Sequence, residues 1–563
     1  MKRFIRNAAA ASLLLGMALP VSAMAADQDL DQKVDSLAKE VEGIKRDAAQ
    51  AKRKSLGQWL EIGGDYRFRM DGLWGQTAAF TDVTKTFANT EQTLQSNFFN
   101  SAPVPPGFPS WQNQIGGLMN FSNNMKQVSS FSGAQTFLAN NQQMLQGIGN
   151  FAVQVPAYKP ENETLNTNRF GINLHAKPIQ DVTVNARLVG YKTFGSQDDS
   201  AFSNNGNTAF FGDRVGVFDG SIGHVPTSSL LDIDRAYATW SNVLGQPLWF
   251  SLGRRPSNNG IPSNLRLNNE RPGNAGTPAM MIDYAFDGGT IGWAPDIDAL
   301  PGAYAKICYG RGFESGFSSP TNSLKDTEFL GIAVIPVDTD PLRVWLQWNK
   351  GWNVFDFPVM KNTAFGDTAP AVELGSIEQW GAGSMSTLKN VGPGSLNFFA
   401  ETGLSITHPN DNVSANAGFQ GLLTGTFFNP EAPSDKTGWS VNLGTRYDYT
   451  PTATKFGFEF NHGSKNWITF APAADDLWTS KLGTRGNVYE GYIIQELKLQ
   501  PISSYTSKVF FRLGYQYYDF EYTNSNNWVG APVKIADIKP TDMMLLTPVK
   551  TAQDLYATFE VHF

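Results

Sequence analysis

Between Gln58 and Met70 the side chains alternate with a period of two. Leu60, Ile62, Tyr66, Phe68 and Met70 fall on one side of an extended chain, and Glu61, Asp65, Arg67 and Arg69 on the other. A soluble sandwich would not carry four charges on a covered face, because buried charges without partners are costly. The alternation recurs. Phe170, Ile172 and Leu174 oppose Arg169, Asn173 and His175, and Val182, Val184, Ala186 and Leu188 oppose Thr183, Asn185 and Arg187. Trp439, Val441, Leu443 and Tyr447 oppose Ser440, Asn442, Arg446 and Asp448. Phe456, Phe458 and Phe460 oppose Lys455, Glu459 and Asn461, and Val509, Phe511, Leu513 and Tyr515 oppose Arg512 and Gln516. Apolar outside and polar inside, in segments of about ten residues, is the pattern of a transmembrane antiparallel β-barrel.

The connections alternate in length, as they do in such barrels. Short turns bearing Pro or Asp fall at 177–181, 242–247, 294–302, 336–341, 388–393, 450–454 and 500–507, with long Asn-, Gly-, Ser- and Pro-rich stretches between them. Seven short turns and eight long loops join sixteen strands. The pair at 373–387 and 394–407 is the least legible, and Leu231–Trp240, with Asp232, Asp234, Arg235 and Tyr237, breaks the alternation in a way that suggests a bulge or a small charge cluster on the wall. In the last strand, Leu555, Ala557, Phe559 and Val561 alternate with polar residues and the chain ends on Phe563. That ending resembles the signal read by the bacterial outer-membrane assembly machinery, an expected partner. Outer-membrane lipid and lipopolysaccharide are the expected surroundings.

Ahead of the barrel, Lys2, Arg3 and Arg6 precede a short apolar core and an Ala23-Met24-Ala25 cleavage site. Residues 1–25 therefore read as a secretory signal peptide. In 26–56, Leu30, Val34, Leu37, Val41, Ile44 and Ala48 alternate spacings of four and three, the seam of a periplasmic coiled coil. That leader implies a homo-oligomer, with a trimer as the form common among porin-like barrels. Residues 57–563 form the barrel.

Composition removes other classes. Mean hydropathy is −0.28, and the mature chain has no run near the ~18–20 apolar residues of a spanning helix. A net charge of −7 argues against nucleic acid as a partner. Cys308 is the single cysteine, which rules out a disulfide framework, a haem-attachment motif and a multi-cysteine zinc site. No cofactor or metal is expected. The five histidines are scattered and no nucleophile motif is present, so an enzyme is not expected; a barrel hydrolase would need folding to join a Ser and a His.

A barrel of this width leaves an aqueous lumen, so the chemistry to seek is a charged constriction. Inward charges on legible strands include Arg67, Arg69, Arg169, Arg187, Arg446, Asp448, Glu459 and Arg512, with cations in slight excess. Rings of charge bias ion passage, which suggests weak anion preference; the same charges could instead pair across strands and stiffen the wall. The loop after the fifth strand carries Arg254, Arg255, Arg266, Glu270 and Arg271 among Gly and Pro. In sixteen-strand general porins the loop in this ordinal place folds inward as an eyelet, and planar guanidinium forks suit anions. The first loop, from about Gly75 to Glu161, is too long for an idle connection. Phe137, Leu138, Met144, Leu145 and Ile148 fall near helical spacing within it, and it could plug the lumen, cap an oligomer or dock a partner.

The stretches Asp232-Ile233-Asp234-Arg235-Ala236-Tyr237-Ala238-Thr239-Trp240 and Phe250-Ser251-Leu252-Gly253-Arg254-Arg255-Pro256-Ser257 resemble an uncharacterised family. It comprises porin-like outer-membrane β-barrels of metal- and sulfur-respiring anaerobic bacteria. The resemblance implies the barrel and its location, and transfers no catalytic residues. It also implies an alternative role, a scaffold for multihaem c-type cytochromes in respiratory electron transfer. The function expected from the residues is passive diffusion of small hydrophilic solutes or ions.

Overall fold

The computed structural model describes residues 59–195, 230–256, 260–269, 280–318, 324–356, 359, 367–471, 476–500 and 507–563. The expected signal peptide and coiled coil lie outside the described residues, as do Glu270 and Arg271.

Sixteen antiparallel strands close into one barrel. They are β1 (Leu60–Thr77), β2 (Glu161–Ile179), β3 (Val182–Thr193), β4 (Leu230–Trp240), β5 (Leu248–Arg255), β6 (Phe286–Trp293), β7 (Tyr304–Phe313) and β8 (Thr327–Asp338). They continue as β9 (Arg343–Phe355), β10 (Glu373–Val391), β11 (Gly394–Pro409), β12 (Lys436–Tyr449), β13 (Thr454–Gly463), β14 (Gly486–Glu496), β15 (Lys508–Phe520) and β16 (Val549–His562). Each strand pairs with its chain neighbours, and β16 closes the ring against β1, with Asp65 opposite His562. Phe563 extends that seam: its N–H donates to Gly64 O, and Gly64 N–H donates back. The expected short turns each join two of these strands at one rim. Asp181, Asn242, Asn390 and Ala453 sit there at positive φ, a conformation that Asp and Asn tolerate and that lets two strands reverse tightly. The blurred pair became β10 and β11, long strands whose glycines had hidden the alternation. The bulge falls at Asp234, where the pairing of β3 with β4 skips a residue.

The alternation sets the two faces. Ile62, Met70, Leu252, Ile291, Ile307, Leu346 and Leu513 are exposed on the outside, and Asp65, Arg67, Arg69, Arg187 and Arg512 are buried on the inside. Exposed Trp240, Phe250 and Trp293 lie side by side at the short-turn rim of β4 to β6, and Trp380, Trp439, Tyr489 and Tyr515 lie toward the other rim. An apolar band between aromatic girdles is the lipid-facing surface of a membrane barrel. No described helix is long and apolar enough to cross a membrane.

At the long-loop end the connections fold rather than wave. The first loop holds α1 (Val83–Phe99), α2 (Trp111–Met125), α3 (Phe131–Asn140) and α4 (Gln142–Gly149). Asp82 caps α1, accepting from Lys85 N–H at 2.9 Å, and Ser130 caps α3 at 3.2 Å. Leu94, Leu118, Phe121, Phe137 and Ile148 pack these helices onto Ala369, Val413 and Phe419 of two later loops. A three-stranded sheet of Phe80–Asp82, Gln154–Val155 and Met543–Met544 ties the first loop to the last. Beneath them, Phe286, Phe329, Phe355, Leu422, Phe470 and Trp528 form an apolar core inside this end of the ring. Burying each such side chain is worth roughly 1.5–3 kcal/mol, so the mouth is packed.

Candidate functional site

In the connection between β5 and its neighbour β6, residues 260–269 reach across the lumen to strands on the far half of the ring. Ile261 and Leu265 pack in one apolar cluster with Tyr304, Ile335, Trp345, Met385 and Phe399 of β7 to β11. Polar contacts then fix the loop to β12 through β15. Arg446 Nη1 donates to Leu265 O at 2.6 Å, and Arg512 Nη1 donates to Arg266 O at 2.7 Å. Lys455 Nζ donates to Asn268 Oδ1 at 2.6 Å and to Glu496 Oε1 at 2.7 Å. Asn268 Nδ2 in turn donates to Glu496 at 2.9 Å.

Arg266 is the centre of this clamp. Its Nη1 lies 2.6 Å from Asp476 Oδ1 and 3.4 Å from Glu490 Oε2. Glu490 also accepts from Lys481 Nζ and from Tyr556 Oη, both at 2.6 Å, and Lys481 pairs with Glu459 as well. Burial works against the charge on Arg266, but Asp476, Glu490 and Glu459 outweigh it and hold its pKa well above the ordinary value. Lys481 behaves the same way: burial and Arg266 oppose its charge, and Glu459 and Glu490 prevail. Arg485, also buried, is held differently. Its guanidinium donates to the carbonyls of Trp467, Thr523, Asn524 and Asn527, at 2.6 to 3.2 Å. Burial pulls its pKa down to about 9, which still leaves it charged at neutral pH.

Of the arginines expected at the constriction, Arg266 crosses the lumen and Arg255 lies on the inner wall. Arg254 sits on the outward phase of β5 and pairs with Asp287 at 3.1 Å, because one residue along a strand changes the face. The lumen-facing set lies inside. Asp65 joins Arg169 at 2.9 Å and Arg187 at 2.5 Å, and Arg187 reaches Asp234 at 3.3 Å. Arg69 pairs with Asp71 and Asp554, Arg446 with Asp448, and Arg512 with Glu560. Arg67 and Glu459 are buried among them. Sequence reasoning missed Asp476, Lys481 and Glu490. The first two lie in a loop without periodicity, and β14 carries Val488, Tyr492 and Ile494 on the inward face beside Glu490, so its polar side was not readable.

On the short-turn side of the inner loop lies a cavity of ≈ 540 Å³, its lining including Asn264, Asn268, Lys389, Arg446, Lys455 and Lys508. Asp340 and Glu496 are the carboxylates on that lining, so cations number four against two.

Residues 159–563, more than half of the chain, match the family described as "Protein of unknown function (DUF3373)". No curated protein matches the sequence. Among solved structures, the chain is similar to OprB of Pseudomonas putida at 9% identity and a TM-score of 0.39, with 92% of this chain and 97% of that one covered. An anion-selective porin from Comamonas acidovorans matches at 10% identity and 0.38, covering 90% and 99%. The trimer form of the outer membrane protein OmpT of Vibrio cholerae matches at 9% identity and 0.37, covering 90% and 99%.

Proposed function

This chain belongs to the DUF3373 family, and from its own lumen we propose a porin-like outer-membrane channel for small hydrophilic solutes or ions, constricted by residues 260–269 and weakly anion-preferring. The observation that carries the reading is a polar cavity roomy enough for many waters under a loop clamped across a sixteen-strand ring. A polar enclosure within an apolar exterior gives charged solutes a path that lipid denies them. The packed mouth makes this a narrow channel rather than an open sieve. The four-to-two excess of cations on the cavity lining favours anions through the local field. Residues 1–25 would direct export, residues 26–56 would project a coiled coil into the periplasm, and the protomers would assemble as trimers.

Single-channel recording of the folded protein in a planar bilayer tests this. Small steps, grouped in threes, are expected, with a reversal potential of anion sign in a salt gradient. Replacing Lys389, Lys455 and Lys508 by Gln should lower the anion-to-cation permeability ratio by on the order of twofold. An unchanged ratio would remove the cavity from the ion path. A barrel that inserts and stays silent would favour the second reading, a scaffold for multihaem cytochromes, to which the buried and paired lumen charges also lend themselves.

A further inference from the structure

The wall from β5 to β9 carries a feature separate from the clamp. One transverse rung runs Ser251, Thr290, Cys308, Gly331, Asn349, each paired with the next across adjacent strands. Gly331 makes room in it for the Asn349 side chain: a Cβ there would stand 2.6 Å from Asn349 Oδ1. The rung nearer the short turns brings Lys306, Ala333 and Gln347 into line. Arg255 turns back along the wall toward both rungs. Its Nη1 donates to Ser251 Oγ, and its guanidinium lies 4.7 Å from the ring centre of Tyr237 and 5.6 Å from that of Trp249. Arg255, Thr290, Lys306, Cys308, Gln347 and Asn349 share one cavity of ≈ 60 Å³. That is room for several waters or one small oxyanion.

Three buried polar atoms of the lining have no partner: Arg255 Nε, Gln347 Oε1 and Asn349 Nδ2, in residues only 8%, 5% and 4% exposed. Gln347 Nε2 donates to Asn349 Oδ1 at 3.1 Å. Turning both amides round reverses that bond and still leaves one NH₂ donor and one carbonyl acceptor over. No described carboxylate lines the cavity, whereas a guanidinium and an ammonium do. Buried donors and acceptors of this kind seek partners.

We propose that this cavity binds a small oxyanion that still carries a hydroxyl near neutral pH, of the hydrogenphosphate or hydrogencarbonate type. The anion's bare oxygens accept from Arg255 and the leftover amide NH₂, with Lys306 supplying charge, and its hydroxyl donates to the leftover carbonyl. A fully deprotonated anion leaves that carbonyl without a donor. The inference rests on the channel reading only in that the anion reaches the wall from the lumen.

Equilibrium dialysis of the full-length, detergent-folded protein with radiolabelled inorganic phosphate tests it. Saturable binding near one per chain is expected, with sulfate competing about tenfold less well. R255Q and Q347E should each weaken binding by about tenfold or more. Q347E keeps the side-chain volume and adds a counter-charge for Arg255 and Lys306, so it guards against loss through misfolding; circular dichroism verifies the fold of both variants. Alkylation of Cys308 should slow in phosphate and not in sulfate, placing the ion at this rung. Absence of saturable binding, binding indifferent to both variants, or equal competition by sulfate would each overturn the site. Binding needs no current: a conducting barrel that takes up no phosphate overturns the site alone, whereas a silent one that binds it overturns only the channel.

Discussion

Glu490 shows how much a single inward carboxylate can hold. It accepts from Lys481 and Tyr556 and faces Arg266, so part of the inner loop's ionic clamp runs through it. Removing one member of a buried ionic group leaves the others uncompensated, at about 3–5 kcal/mol. Glu490→Gln should therefore lower the thermal transition followed by circular dichroism and, under the channel reading, raise single-channel conductance by loosening Arg266, which keeps its pair with Asp476. Arg485 works through carbonyls instead, joining the loops before and after β14 and β15. Arg485→Met takes this donor from the carbonyls of Trp467, Thr523 and Asn527, each worth roughly 1–3 kcal/mol when left unmet and buried, while Asn524 O keeps the Asn527 N–H. Limited proteolysis should then cut within 521–548 at least several times faster, with the strand signal in circular dichroism unchanged. Neither residue stood out in the sequence. An inward Glu flanked on its own face by Val488, Tyr492 and Ile494 has no phase to betray it, and Arg485 sits where no period applies.

Among the elements, strands were the legible part. Period two follows from having lipid on one face and water or polar loops on the other, and it survives wherever both faces keep their chemistry. It led to sixteen strands with Arg67, Arg69, Arg187, Arg446 and Arg512 pointing inward, and all five are buried there. The destinations of loops were largely hidden, because Arg266 finds its partners through folding and not through spacing. Only the ordinal place of the loop after β5 hinted that it goes inside. The first loop's helical spacing was visible at Phe137 and Ile148, but its seat on residues 413–419 was not. If the inner loop sets the constriction, replacing residues 261–269 by a glycine–serine linker of equal length should raise conductance severalfold over wild type by removing both the apolar anchor and the ionic clamp. Conductance equal to wild type would mean that the packed mouth, and not this loop, is the narrowest point.

For the molecule as a whole, the clamp links parts of the chain that are made far apart. Arg266 meets Asp476 across 210 positions, and Arg512 meets the carbonyl of Arg266 across 246. Contacts of such separation form late, since their loop-closure entropy is incurred before they return anything. If the inner loop is the barrier to flow, it is thus among the last things the protein builds. A single replacement at Asp476 or Glu490 leaves every strand pairing in place and unfastens only the inner loop, so under the channel reading the membrane would be left not with a missing channel but with a leaking one.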